Sequence, residues 1–223
     1  MPEEYFQGES VASNLLSRIL FYHSLARSLE RGSASLSNSR PPLPRELILS
    51  IFRLAELVIP SSSVSCSEQS DVRSNGNLAE KIWFATPPLR CVDLTKLAFV
   101  KLETVSRHQG WVSDPACGCW SWFELGILRG RASADADRTL FSRLKTREDG
   151  SRLSWKSHCN NLHGRGSYDL VEGQTFGTTH ELWDCMQEGD AIVVIGAAQY
   201  PGWACYGKEA VLRFGKYFEP TLY

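Results

Sequence analysis

Apolar and polar side chains alternate from Ala98 to Thr104. Ala98, Val100, Leu102 and Thr104 fall on one side, Phe99, Lys101 and Glu103 on the other. That is the period of a strand with one buried face. The period returns where Ser121, Phe123, Leu125 and Ile127 alternate with Trp120, Trp122, Glu124 and Gly126, and again from Ala210 to Phe214. Ala191 to Ala198 is almost continuously apolar instead, which predicts a central strand covered on both faces. Turn-forming clusters at Thr86-Pro87-Pro88, Glu148-Asp149-Gly150, Gly164-Arg165-Gly166 and Glu188-Gly189-Asp190 separate these runs. Residues 80–223 are therefore expected to form a mainly β, antiparallel sandwich. Arg129 to Arg152, charged and polar except for Leu140, Phe141 and Leu144, is an insertion with room for one short helix.

The period changes before residue 60. Leu15, Leu16, Ile19, Leu20, Ala26 and Leu29 make a helical stripe over Ser13 to Leu29, with Arg31 and Gly32 as its stop. A second helix is expected between Pro41 and Pro60. Pro44 suits the first turn, Glu46 suits the positive end of the helix dipole, and Pro60 ends the run. Leu47, Ile48, Ile51, Phe52, Leu54, Ala55 and Val58 cover well over a third of its circumference. Such a face needs cover on more than one side, either from the sandwich of the same chain or from a protein partner. Of these residues Leu47, Ile51, Phe52 and Leu54 are the partner-contact candidates. The intervening residues 61–79 are rich in serine and are expected to form a linker. The expected organisation is thus a helical segment 1–60, a linker 61–79 and a β domain 80–223.

Composition narrows the function classes. The 223 residues are 43% hydrophobic with a formal charge of -1, which gives no global attraction to nucleic acid or to an anionic membrane. No apolar run approaches the roughly 20 residues of a membrane span. Seven scattered cysteines and the polar, acidic opening MPEEYFQGES predict a reduced, intracellular protein, cytoplasmic or nuclear.

The residues with candidate chemistry sit at strand ends. The loop from Arg107 to Gly118 carries His108, Gln109 and Trp111, and the turn Tyr200-Pro201-Gly202-Trp203 adds a second tryptophan. His108, Gln109, Trp111 and Trp203 combine aromatic faces with hydrogen-bonding groups, a composition suited to a small polar ligand or a glycan. The same residues have a structural alternative, in which histidine and amide tie down the loop and the indoles cap the core. Trp120 and Trp122 read as core. Cys117 and Cys119 with His158, Cys159 and His163 are zinc-ligand types without the usual spacing, so free thiols and no metal are expected. Cys185 and His180 could form a nucleophile pair only with an oriented base and an activated thiol. Paired carboxylates and phosphate-binding loops do not stand out, and neither catalysis nor a cofactor is expected. A metal-dependent hydrolase is the enzymatic alternative.

Two stretches carry a resemblance. LPRELILSIFRLA, Leu43 to Ala55, resembles the opening of an F-box, the module that docks F-box proteins on the Skp1 adaptor of cullin ubiquitin ligases. The serine-rich segment after it departs from the three-helix F-box pattern. HQGWVSDP, then WSWFELGI, Ser154 to His163, and GDAIVVIGAAQYPGWACYGKEAVLRF resemble a β-sandwich module attached to F-box-like segments in fungal proteins of unassigned function. There the first motif is similar to SHDQGWSS, whereas Arg107 and His108 directly precede Gln109 here. The resemblance implies a jelly-roll-like, galactose-binding-like sandwich. It also implies a recognition module, possible as the substrate-reading part of a ubiquitin-ligase adaptor, with Skp1, another protein or a glycan as partner.

Overall fold

A computed structural model describes residues 4–35, 38–112, 115–130, 140–163 and 166–221. The chain divides into two compact units, residues 1–61 with 215–223, and residues 62–214.

The first unit is built on two helices. Helix α1 runs Glu4–Arg31 and ends at Gly32, whose φ of +71° supplies the left-handed stop that a side chain would resist. A small hairpin follows, β1 Ser33–Ser35 paired with β2 Asn38–Arg40, then helix α2 Arg45–Leu54 and strand β3 Val58–Pro60. Helix α2 therefore stops six residues short of the expected Pro60. Glu56 adopts φ +50°, the Leu57 amide donates to the Phe52 carbonyl and the Glu56 amide to that of Arg53, which closes the helix with a Schellman turn. The freed segment pairs as β3 with Gly215–Tyr217. Tyr22, Ala26, Ile48, Phe52 and Phe218 form the core of this unit. Of the partner-contact candidates Leu47, Ile51, Phe52 and Leu54, for which at least partial cover by the sandwich was the alternative, Phe52 needs correction. Phe52 is fully buried, but among Tyr22, Ile48 and Phe218, while Leu47, Ile51 and Leu54 are 52%, 38% and 86% exposed. Helix α2 is short enough that one turn-spaced pair, Ile48 and Phe52, satisfies its own unit, and the next stripe is left over.

The second unit is an antiparallel β-sandwich. One sheet has the order β10–β7–β12, from Asp169–Gly177, Leu97–His108 and Ala204–Tyr217, with two short strands on the other edge of β12, β4 Val64–Cys66 and β5 Ser70–Arg73. The facing sheet has the order β6–β11–β8–β9, from Ala79–Ala85, Ala191–Ala198, Ser121–Leu128 and Ser154–Cys159. Val100, Leu102, Phe176 and Leu212 of the first sheet meet Phe123, Leu125, Ile192 and Val194 of the second in the main core. Every residue of β11 is buried, as its unbroken apolar run implies. Its outer face, Ala191, Val193 and Ile195, is covered by Leu144 with Leu140 and Phe141, so the described part of the insertion serves as a lid on the sheet. Residues 131–139 lie outside the description. A buried ion pair fastens that lid: Lys145 Nζ lies 2.6 Å from Asp190 Oδ2 and donates to the Cys185 carbonyl and Gln187 Oε1, each at 3.1 Å.

The serine-rich stretch is no linker. Its residues pair with β12 through β4 and β5, and Ser70, Val72 and Ser74 are buried. Backbone pairing along a sheet edge needs few apolar side chains, which is why composition alone misassigned it. The short helices Cys91–Leu94 and Glu181–Cys185 are connections between strands.

Candidate functional site

Strand β7 does not end at Ser106. Its alternation of buried and half-buried residues continues through Arg107 to His108, so Thr104, Ser106 and His108 all point into the sandwich. His108 is 1% exposed and lies beneath the loop it was expected to serve. Its Nδ1 accepts a hydrogen bond from the Gly110 amide at 3.1 Å. Burial lowers its pKa from the ordinary value, and the adjacent Arg107 charge acts in the same direction.

The next three residues form the rim itself. Gln109 is a strut: its Nε2 donates to the Trp111 carbonyl at 2.6 Å and its Oε1 accepts from the Ala204 amide at 3.2 Å. The loop after β7 and the turn before β12 therefore meet, at one end of the sandwich. Trp111, 61% exposed, rests over Gly202, where an added Cβ would lie 3.4 Å from the indole. Gly202 has φ +83°, so it supplies both the turn and the clearance. Trp203 behaves differently. It is half-buried, packs against the main core and stands 6.3 Å from the His108 ring. Its carbonyl accepts from the Ser74 amide at 2.9 Å, which brings the chain after β5 to the same end.

Other residues join the rim that sequence reasoning passed over. Tyr200, 43% exposed, meets Trp120 edge-on with ring centroids 4.7 Å apart. The Arg107 guanidinium lies between Tyr168 and Tyr206, 5.0 and 4.5 Å from their ring centroids, in two cation–π contacts. Gly166 approaches Gly110 so closely that a Cβ there would sit 3.1 Å from the Gly110 Cα. The exposed Trp111, Tyr168 and Tyr200 thus rise from three loops held against one another. The local signal for Arg107 was the outward phase of β7, and its partner Tyr168 lies 61 residues further on.

Strands β7 and β9 share a polar group in which Thr104, Ser106 and Ser157 are buried and His158 is half-buried. His158 on β9 has Nε2 2.8 Å from Thr104 Oγ1 and Nδ1 3.0 Å from Ser157 Oγ, and Thr104 reaches Ser106 Oγ at 2.8 Å. Burial pushes the His158 pKa down to about 4. Gly173 makes room for it, because a Cβ at that position would fall 2.0 Å from Ser157 Oγ and 2.8 Å from His158 Nδ1.

The remaining candidates separate. Trp122 is buried with its Nε1 donating to Glu124 at 2.7 Å, and Lys156 lies over its ring. His180 accepts from the Leu182 amide as a helix cap and packs edge-on to Trp155 and Phe176, so its ring is engaged away from any thiol chemistry at Cys185. Among the described residues no three His, Cys, Asp or Glu side chains gather as a metal site. No helix is long and apolar enough to cross a membrane among those residues. No family model matches the sequence, and no curated protein matches it either.

Proposed function

We propose that the sandwich is a non-catalytic recognition module that reads a polar ligand bearing an apolar face, a glycan in first place, at the rim of Trp111, Tyr200 and Tyr168. The observation that carries this reading is the state of Trp111. A majority-exposed indole is laid against Gly202, with its own carbonyl held by Gln109 and Gln109 held by Ala204. A rigid, exposed indole offers stacking area without the cost of ordering a mobile side chain. His108 and Gln109 act as supports beneath that platform, and Trp203 anchors the turn. The test is a glycan array followed by fluorescence titration of the best saccharide against the native chain and Trp111→Ala. The expected result is at least about ten-fold weaker binding, roughly 1.4 kcal/mol, with an unchanged melting temperature. Equal binding by the variant would refute the platform.

A second reading rests on a separate observation in the helical unit. Leu47, Ile51 and Leu54 recur at helical spacing on α2 and are all exposed. This supports a protein-docking face of F-box-like character, and with it a place for the chain as an intracellular ubiquitin-ligase adaptor. Purified Skp1 is the probe. Micromolar or tighter binding that is lost in Leu47→Asp/Leu54→Asp supports the reading, and absence of binding ends it.

A further inference from the structure

Six cysteines of the described residues are free, and their surroundings differ sharply. Cys91 is exposed. Cys205 is wholly buried, with Asn160 Nδ2 3.4 Å from its sulfur, and burial pushes its pKa up to about 12. Cys119 and Cys159 are each partly exposed and belong together. Cys119 lies just before β8 and Cys159 at the end of β9, the edge strand of its sheet. The Asn160 amide donates to the Ser121 carbonyl at 2.9 Å, next to the Cys159–Trp122 pair of the β8–β9 ladder, and Cys119 lies in the segment just before that ladder. The Cys119 sulfur lies 3.1 Å from the Ser121 carbonyl and 3.4 Å from that of Asn160, and the Cys159 sulfur lies 3.9 Å from the Cys119 carbonyl.

We propose that Cys119 and Cys159 form an oxidation-sensitive pair, in which a hydroperoxide oxidises Cys159 and Cys119 closes a disulfide that ties the rim loop to β9. In the first step the Cys159 thiolate attacks the peroxide. An S–O bond forms, the O–O bond breaks, sulfur is oxidised by two electrons and the alkoxide or hydroxide leaves to be protonated. In the second step the Cys119 sulfur attacks Cys159. The S–S bond forms, the S–O bond breaks, and hydroxide departs with the Cys119 thiol proton as water.

The roles follow from the surroundings. The neighbouring Cys119 thiol and the nearby Lys156 charge lower the Cys159 pKa, against the opposing effect of burial. Cys119 is the reverse case, held protonated by its neighbour and by burial. One sulfur is thus a ready nucleophile and the other a resolving thiol in reach. The product has a consequence for the rim. Cys119 adjoins Trp120, which packs on Tyr200, and the loop leading to it carries Trp111. A cross-link would fix the far end of that loop.

The experiment treats the full chain in a Cys91→Ser background with one equivalent of hydrogen peroxide, followed by alkylation and non-reducing peptide mapping. The expected result is loss of the mass of two hydrogens, with the bridge mapped to Cys119 and Cys159. In Cys119→Ser the reaction stops one oxygen heavier, with a dimedone adduct on Cys159. Cys159→Ser slows peroxide consumption about ten-fold, as expected when an activated thiolate is lost. Alkylation of Cys159 sets in at a lower pH than that of an ordinary thiol. A bridge to Cys117 or Cys205, a first oxygen on any other cysteine, or a reduced Cys119 and Cys159 after the peroxide is consumed would overturn the proposal. Mapping of the unmutated pair decides it even if a serine variant does not fold.

Discussion

His158 makes the β unit sensitive to mild acid. Its ring packs 5.2 Å from Phe123, between the hydroxyls of Thr104 and Ser157, and burial alone brings its pKa from 6.5 to about 4. A folded pKa below the unfolded one means that the unfolded chain binds the proton more readily. The contribution to stability is therefore complete above pH 6.5, is lost as pH falls toward 4, and levels off below. The full loss is on the order of 3 kcal/mol for a shift of this size, most of it already gone at pH 4.5. His108, also lowered by burial, adds to the loss in the same direction. The carboxylates held low by their partners, such as Asp93 and Glu181, lose their contributions only as pH falls below the unfolded carboxylate range of about 4, so the window from 6.5 to 4.5 belongs to the histidines. All seven tryptophans lie between residues 83 and 203, so their fluorescence during urea unfolding reports this unit alone. The assay is the unfolding free energy at half-unit pH steps for the native chain and for His158→Gln. The native curve should fall steeply across the window and the variant curve should be much flatter. A native stability that is flat from pH 6.5 to 4.5, or an equal slope in His158→Gln, would refute the reasoning.

Other substitutions test the packing directly. Trp203→Ala should cost about 3 to 5 kcal/mol in urea unfolding, as a core truncation, whereas Trp111→Ala should leave the midpoint within experimental error. Gly207→Ala places a Cβ 2.3 Å from the Trp83 ring, which is pinned by Phe123 and by its hydrogen bond to the Glu68 carbonyl, and should lower stability by about 1 to 3 kcal/mol by the same assay. Asp190→Ala strands the buried Lys145 ammonium and should cost about 3 to 5 kcal/mol, while replacing both by Leu and Met should recover much of it. Glu56→Gly relieves the left-handed residue that ends α2 and should raise the calorimetric stability of the helical unit by about 0.5 to 1 kcal/mol.

Where periodicity was long, the chain declared its structure. The alternation from Ala98 and from Ser121 and the apolar run from Ala191 became β7, β8 and β11, because each strand must bury one face or two whatever its partners are. Where pairing rather than burial decides, the sequence is silent. Strands β4 and β5 carry few large apolar residues and are held by backbone bonds to β12, over a hundred residues away, so nothing local distinguishes them from a linker. Helix α2 shows the same limit in reverse: its apolar residues extend to Val58, yet the end of the helix is set by a strand pairing with Gly215–Tyr217.

The site was legible in kind and misread in depth. Placing the loop boundary at Arg107 treated His108 as a loop residue, although the even-numbered phase of Ala98, Val100, Leu102 and Thr104 extends through Ser106 to His108. Two more residues of the same alternation would have turned the histidine inward and Arg107 outward. The phase also explains why the rim is rigid. A strand that carries a buried histidine at its last position cannot end loosely, and the Gly110 amide that His108 accepts starts the turn that presents Trp111. Gln109 points back to the Ala204 amide on a strand ninety-five residues later, a contact no local pattern encodes. Gln109 is spent on holding the Trp111 carbonyl, so in the proposed reading the indole face rather than the amide meets the ligand.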